Sequence, residues 1–160
     1  MVGPAPSLLP RLPGSYRAVI ATCAGRMLAV DQAQVSAIGT IACSPPVPGG
    51  APWLDGIGEH DGKAVLVVAL FGCALEPRPE RQSMVMVLDL GRESPLSADR
   101  PRISLRIDGA AGLAECSPRS TGERLSSACP AAWLRPCRLA DGSDAVWVDG
   151  LAMRKSWEES

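Results

Sequence analysis

The residues whose types are best suited to catalysis are one histidine and six cysteines. His60 lies between Glu59 and Asp61 in a stretch typical of a hairpin turn, where polar residues collect for geometric reasons. A nucleophilic site of the Ser-His-Asp or Cys-His kind needs a histidine that a third group orients inside a pocket, and the sequence indicates none. We therefore expect His60 to be an exposed turn residue, and we predict that the chain is not an enzyme and has no catalytic residue.

The cysteines are spaced in a way that favours neither zinc nor a disulfide framework. No Cys-x-x-Cys pair occurs, and His60 has no cysteine near it in the sequence, so we predict no metal site. We expect most of these side chains to be small buried hydrophobes, as free cysteines usually are. The alternative is a thiol-based redox protein or sensor that uses some of them. They are Cys23, Cys43, Cys73, Cys116, Cys129 and Cys137.

The sequence gives no sign of a nucleotide cofactor. Gly56-Ile57-Gly58 has the Gly-x-Gly spacing of a dinucleotide fingerprint, but no helical pattern follows it, and no Gly-Lys-Ser/Thr loop is present. Four aspartates near predicted strand ends are interpreted as structural, because turns favour short carboxylates. They are Asp31, Asp89, Asp108 and Asp149. We therefore predict no cofactor.

Composition narrows the classes of partner. The chain has 160 residues, 46% of them hydrophobic, and a net charge of −1, which is ordinary for one globular domain or two small ones. Without a cluster of basic residues we predict no nucleic-acid binding. No apolar run reaches the roughly 18–20 residues that span a bilayer, so we predict no membrane insertion. Residues 1–14 are too rich in proline for a signal peptide; we expect a flexible tail there and a cytoplasmic protein.

The stretch from Ala51 to Gly72 reads as strand, tight turn and strand, and it occurs twice. Asp61-Gly62 between two apolar runs is a strong hairpin signal, because glycine accepts the positive φ of a primed turn. Ala51, Trp53, Leu54, Asp61 and Gly62 recur as Ala131, Trp133, Leu134, Asp141 and Gly142. Upstream, Leu28–Asp31 resembles Leu105–Asp108 at a nearly equal spacing. Such self-similarity indicates two copies of one strand-rich unit.

The repeat sets the predicted fold. Each half contains about five short strand patterns and almost no helical periodicity, and five strands with tight turns suit a small closed barrel. We predict an all-β protein of two small five-stranded barrels. The predicted halves are residues 15–80 and 82–153 of one domain, followed by a short C-terminal tail at 154–160. Trp157 in that tail either caps a barrel or anchors a partner.

Over roughly residues 16–152 the sequence resembles the CheW family, the coupling proteins of bacterial chemosensory arrays. Residues 48–56 look like the proline-bearing loop of that family, and 56–62 resemble its Gly-Val-x-Asn-Leu-Arg-Gly segment. Residues 63–70 are similar to the Val-Pro-Val-Val-Asp-Leu strand that follows. The resemblance rests on the pattern and order of segments more than on identity. It implies two intertwined, SH3-like, five-stranded barrels and no catalysis.

The resemblance also implies a function. Members of the family are non-catalytic adaptors that connect the cytoplasmic domain of methyl-accepting receptors to a CheA-type histidine kinase, which docks through its own CheW-like domain. Another CheW-like protein is a further partner of this kind. Carried over by position, four residues would face the receptor, and two neighbours in the same turn join them as partner-binding candidates. The set is Val35, Ala37, Ile38, Glu59, His60 and Asp61.

The chain departs from the family pattern at several positions. Asp61 stands where the family has arginine, and Leu66 and Ala69 replace the proline and aspartate of the following strand. The chain also ends soon after Met153, so we expect little room for a C-terminal helix. These differences suggest a divergent paralogue, for instance a FrzB-like accessory adaptor, that has lost one of its two interfaces. A further alternative is a purely structural array component that self-associates through barrel edges.

Overall fold

The computed structural model describes residues 15–44, 50–72, 81–90, 102–118 and 127–158. This part of the chain is mostly strand, with 3-10 turns at Gln32–Gln34 and Ala131–Trp133 and an α-helix, α1, at Gly150–Glu158. The predicted tail at 1–14, residues 48 and 49 of the proline-bearing loop, and Cys73 lie outside the described residues. The strands are β1 (Tyr16–Cys23), β2 (Arg26–Asp31), β3 (Val35–Cys43), β4 (Leu54–His60), β5 (Lys63–Val68), β6 (Arg81–Leu88), β7 (Arg102–Arg106), β8 (Gly109–Pro118), β9 (Leu134–Leu139) and β10 (Asp144–Val148).

The strands form two closed barrels, which confirms the predicted fold class. The first barrel has the strand order β1-β2-β10-β9-β8, and the second has the order β3-β4-β5-β7-β6. Each barrel therefore combines strands from both halves of the sequence, so the two are intertwined. The chain passes from one compact unit to the other between Val35 and Ser36, and it returns between Ile107 and Asp108.

Each barrel has its own apolar core, built from alternate residues of its strands. In the first barrel, Trp147 and Ile20 lie in a cluster with Cys116 and Cys137, and the ring of Tyr16 lies 4.8 Å from that of Trp147. In the second barrel the corresponding cluster consists of aliphatic residues and one cysteine. Its members are Ile41, Cys43, Val67, Val85 and Val87.

The backbone confirms the repeat around the two Trp-Leu pairs. The amide of Ala69 donates to the carbonyl of Trp53 at 2.7 Å, and the amide of Asp149 donates to the carbonyl of Trp133 at 2.7 Å. The Asp61-Gly62 turn has φ values of 52° and 75°. Positive φ at both central residues is the signature of the predicted primed turn.

The upstream part of the repeat differs from the prediction by two residues. Val148 pairs with Val30 in the parallel β10–β2 ladder, whereas its repeat counterpart Val68 pairs with Leu105 in the parallel β5–β7 ladder. Val30 is thus the counterpart of Leu105, and the proposed match of Leu28 with Leu105 is wrong. A shift of two residues keeps every side chain on the same face of a strand, so the hydrophobic pattern cannot detect it.

The expectation of little room for a C-terminal helix is also wrong, because α1 begins at Gly150 and crosses residue 154. Asp149 caps this helix, since its Oδ1 accepts from the amide of Ala152 at 3.0 Å. Met153 is fully buried, and the indole Nε1 of Trp133 donates to Ser156 Oγ at 3.0 Å. One buried side chain and one hydrogen bond thus hold this nine-residue helix in place. The side chain of Trp157 lies outside the described residues.

Across the described ranges we find no helix that is both long and apolar enough to cross a membrane.

The docking of α1 gives a stability prediction with a control on the same helix. We expect Met153→Ala to lower the free energy of unfolding by about 2–5 kcal/mol, because it leaves a cavity at a fully buried site. Leu151 is exposed, and Leu151→Ala should change that free energy by less than about 0.5 kcal/mol. Urea denaturation of both variants measures the difference; equal losses would contradict the docking of α1 through Met153.

Candidate partner-binding site

The three candidates on β3 point in two directions. Exposure alternates along this strand, so Val35 and Ala37 are half-buried whereas Ile38 is 41% exposed. Ala37 packs against the core of the second barrel. Val35 is the first residue of β3, at the point where the chain passes between the two compact units. Of these three residues, only Ile38 presents its side chain to solvent.

The three candidates in the hairpin turn are also divided. Glu59 is exposed on β4, and the Asp61 side chain in the turn is 78% exposed. The His60 side chain is only 22% exposed, and its Nδ1 lies 3.6 Å from Asp61 Oδ2. The expectation of an exposed His60 is therefore wrong. His60 is the last residue of β4, where it pairs with Lys63, and by alternation it points to the opposite side from Glu59.

A bulge in β4 decides which side chains of this hairpin face outward. Leu54 pairs with Val68 and Gly56 pairs with Val67, so Asp55 is an extra residue between two ladder positions. Its side chain is fully buried, and Oδ1 lies 3.4 Å from Nη1 of Arg106. A buried carboxylate needs such a partner, because an unpaired charge in a barrel wall would carry a large desolvation cost.

The corresponding hairpin of the first barrel has no bulge. There Leu134 pairs with Val148 and Arg135 directly with Trp147. The extra residue of β4 is compensated by a shorter turn. The Asp61-Gly62 turn between β4 and β5 has two residues, whereas the turn between Leu139 and Ser143 has three, Ala140–Gly142. The two hairpins therefore have the same total length, but between the bulge and the turn their sequence alignment and their strand register differ by one residue.

The consequence of the bulge is that Ile57 faces solvent. It is 44% exposed and pairs with Leu66, which is half-buried. Cys137, which the sequence repeat aligns with Ile57, instead lies in the core of the first barrel. A one-residue insertion reverses every following side chain between the two faces of a strand. Ile57 was not among the residues that the sequence predicted as partner contacts.

Gly56 and Gly58 have a packing role rather than a nucleotide-binding one. A Cβ at Gly56 would lie 2.4 Å from the carbonyl oxygen of Ser44 and 2.8 Å from Cys43 Sγ, while one at Gly58 would lie 2.8 Å from the carbonyl oxygen of Ala42. β3 therefore approaches β4 more closely than any side chain at these positions would allow. Ser44 completes the contact, since its Oγ accepts from the amide of Ile57 at 3.0 Å.

The structure therefore does not bring the six candidates together. Val35, Ala37 and His60 are half-buried. Ile38 is exposed, but it lies six positions along the chain from Ser44, whose amide donates to the carbonyl of Ile57.

Of the candidates, Glu59, with Asp61 at its edge, shares with Ile57 the outer surface where β3, β4 and β5 meet. We call this surface the β3–β4–β5 face. It consists of the outward-pointing residues Ala42, Ile57, Glu59, Ala64 and Leu66, which are neighbours in the strand register.

The cysteines form no comparable site. The five described ones are buried and form no disulfide. Burial raises the pKa of the Cys129 thiol, whereas a hydrogen bond with Cys116 lowers the pKa of Cys137. Cys116 and Cys137 are each only 2% exposed, so neither is open to a protein partner or substrate. Among the described residues, no group of histidine, cysteine, aspartate and glutamate is arranged to hold a metal ion.

Comparisons with known proteins find a likeness in structure. No protein-family model and no curated protein matches the chain in sequence. Among solved structures, the scaffolding protein TtCheW from Thermoanaerobacter tengcongensis is similar, with a TM-score of 0.58 and 15% identity. The match covers 86% of this chain and 90% of that one. At this level of identity the likeness shows a shared fold.

The close approach of β3 to β4 can be tested with two glycine substitutions. Gly56→Ala should lower the free energy of unfolding by about 1–3 kcal/mol, because the new Cβ would overlap backbone that cannot move aside freely. Gly39→Ala is the control, since a Cβ there has nothing within 4 Å, and it should change that free energy by less than about 0.5 kcal/mol. Chemical denaturation measures both variants; a Gly56→Ala protein as stable as the control would contradict the described contact.

Proposed function

We propose that the chain is a non-catalytic adaptor of a bacterial chemosensory system that binds the cytoplasmic domain of a methyl-accepting receptor. The observation that carries the proposal is the pair of intertwined five-stranded barrels, a fold shared with the scaffolding protein TtCheW over 86% of the chain. The resemblance of residues 48–70 to the CheW family pattern supports the same function. This role would place the protein in the cytoplasm.

The character of the described surface supports binding rather than catalysis. Ile38 and Glu59 lie on a closed, hydrogen-bonded sheet, and such a rigid scaffold suits a protein interface because little entropy is lost on binding. The only described histidine, His60, contacts a carboxylate that is itself largely exposed. The buried acid of this barrel, Asp55, is paired with Arg106. These groups stabilise the sheet rather than form a reaction centre.

The second part of the proposal is that one of the two family interfaces is altered. Asp61 carries a negative charge where the family pattern has a positive one, and its side chain is largely exposed. Like charges across an interface raise the cost of binding, so an interface built for arginine would disfavour this chain. A CheA-type kinase, or another CheW-like protein, is the partner we propose for the unaltered interface.

The turn itself offers a different reason for aspartate at this position. Asp61 has a φ of 52°, and aspartate tolerates that left-handed conformation better than most residues. An experiment on Asp61 must therefore distinguish the effect of its charge on binding from its effect on the turn. The Asp61→Asn variant does this, because asparagine is uncharged and also accepts the left-handed conformation.

The proposal is tested by offering the full chain separately to a receptor cytoplasmic fragment and to the CheA-type kinase of the same organism. Isothermal titration calorimetry should detect binding to at least one of them. Failure of every receptor and kinase of the system to bind would overturn the proposed function.

Substitution of Asp61 gives the sharper prediction. Asp61→Arg should raise the affinity for a receptor fragment of the ordinary kind, one whose own coupling protein carries the family arginine, about tenfold, equivalent to about 1.4 kcal/mol, and Asp61→Asn should produce a smaller gain in the same direction. Titration calorimetry measures both affinities, and thermal unfolding shows whether the turn tolerates each residue. Unchanged affinity in both folded variants would assign Asp61 to the turn alone and would remove it from partner choice.

A further inference from the structure

We propose that the β3–β4–β5 face, centred on Ile57, is a docking surface for a protein segment that presents apolar side chains flanked by lysine or arginine. The inference deepens the proposed function and rests on it in one respect, namely that the chain acts by binding other proteins. It identifies Ile57, which was not carried over from the family pattern, as the central contact. It also specifies which side chains the partner presents.

The centre of this face is apolar and open. Ile57 is 44% exposed and is the large exposed hydrophobic side chain of this face. Leu66 is half-buried directly across from Ile57, while Ala42 and Ala64 are exposed and short. Exposed apolar residues grouped on one rigid surface mark an interaction site more often than isolated ones do.

The exposure of Ile57 depends on an arrangement that the barrel does not need for closure. The first barrel closes without a bulge at the corresponding point, and Pro136 occupies the position equivalent to Ile57, across from Val146. The second barrel instead buries the carboxylate of Asp55 completely and pairs it with Arg106. Bulges are commonly used to redirect a side chain at a functional surface, and here the redirected side chain is an isoleucine.

The charge around the centre is negative. Glu59 lies on the face, has no ion-pair partner within the part of the chain that the structure describes, and is joined by the exposed carboxylate of Asp61. Lys63 is exposed as well, but it pairs with His60 and so points away from the side occupied by Glu59. A partner that covers this face would gain most from basic side chains around an apolar centre.

The first barrel lacks this charge pattern. Arg138 occupies the position equivalent to Glu59, and its Nε lies 3.7 Å from Oδ1 of Asp144 on the neighbouring strand. That pair is neutral overall, so the corresponding face would offer no net attraction to a basic partner. The negative apolar face is thus a property of the second barrel.

The same charges decide against a second copy of the chain as occupant. A two-fold symmetric contact brings the same patch of both subunits together. Two Glu59 carboxylates would then lie close to each other with no basic residue of the face to compensate them. Burial of like charges opposes such a contact, and a basic partner removes the conflict.

The test uses the full chain and two synthetic helical peptides that share a leucine-rich face. One carries lysine beside the leucines, and the other carries glutamate in the same places. Fluorescence anisotropy should show that the lysine peptide binds at least about tenfold more tightly. Ile57→Ser should weaken that binding at least about tenfold. Leu113→Ser is the matched control, because Leu113 is similarly exposed, at 49%, on a strand of the first barrel, and its effect should stay below about twofold.

Reversal of the local charge provides a second arm. Glu59→Lys should shift the preference towards the glutamate peptide, while circular dichroism confirms that the fold is intact. Equal effects of Ile57→Ser and Leu113→Ser, or no preference between the two peptides, would overturn the proposal. A concentration-dependent dimer that Ile57→Ser abolishes would also overturn it, since the occupant would then be a second copy.

This inference and the proposed function can fail separately. A receptor fragment that binds the wild type and Ile57→Ser equally well would leave the adaptor function in place and overturn the docking surface. If the peptides behave as expected while no receptor or kinase of the system binds, the surface is supported and the chemosensory function falls.

Discussion

Closure of each barrel through one parallel strand pair is the constraint on which the rest of the structure depends. β10 closes on β2 in the first barrel, and β5 pairs with β7 in the second. Both pairs join strands from different halves of the sequence, so neither half can complete a barrel by itself. In return, closure gives each strand of the two barrels a hydrogen-bonded neighbour on both sides and holds the hairpins as rigid surfaces. That rigidity makes the orientation of one side chain, Ile57, a fixed property of the molecule.

Within this frame the two repeats have diverged at one residue. The second barrel stays closed despite the bulge at Asp55, because the Asp61-Gly62 turn is one residue shorter than the corresponding turn of the first barrel. Because of the bulge, the side chain of Ile57 faces solvent instead of the core, and the side chain of Glu59 lies on the same side of β4. The β9–β10 hairpin of the first barrel has no bulge, and it presents Pro136 and an Arg138–Asp144 ion pair on the equivalent surface. Divergence between repeats, rather than an added loop or domain, thus creates the surface that we propose for partner binding.

Much of this fold could be predicted from the sequence, because it rests on local signals. The Asp61-Gly62 turn and the recurrence of Trp53-Leu54 as Trp133-Leu134 are carried by residues that lie close together in the chain. The bulge could not be predicted, since it places the buried Asp55 beside Arg106, and these two residues are 51 positions apart. The helix α1 escaped for a similar reason, because it is held by the burial of Met153 and by a hydrogen bond between Trp133 and Ser156, which are 23 positions apart.

The central claim is that this chain acts by binding, through the β3–β4–β5 face of its second barrel. Two-dimensional ¹⁵N–¹H spectra of the full chain, recorded during titration with a receptor cytoplasmic fragment, test it most directly. The account predicts that the amide signals that shift will cluster at Ala42, Ile57, Glu59 and Leu66. The signals of Arg135 and Arg138, on the equivalent strand of the first barrel, should stay in place. Shifts confined to the first barrel, or a spectrum unchanged at saturating fragment, would contradict the account.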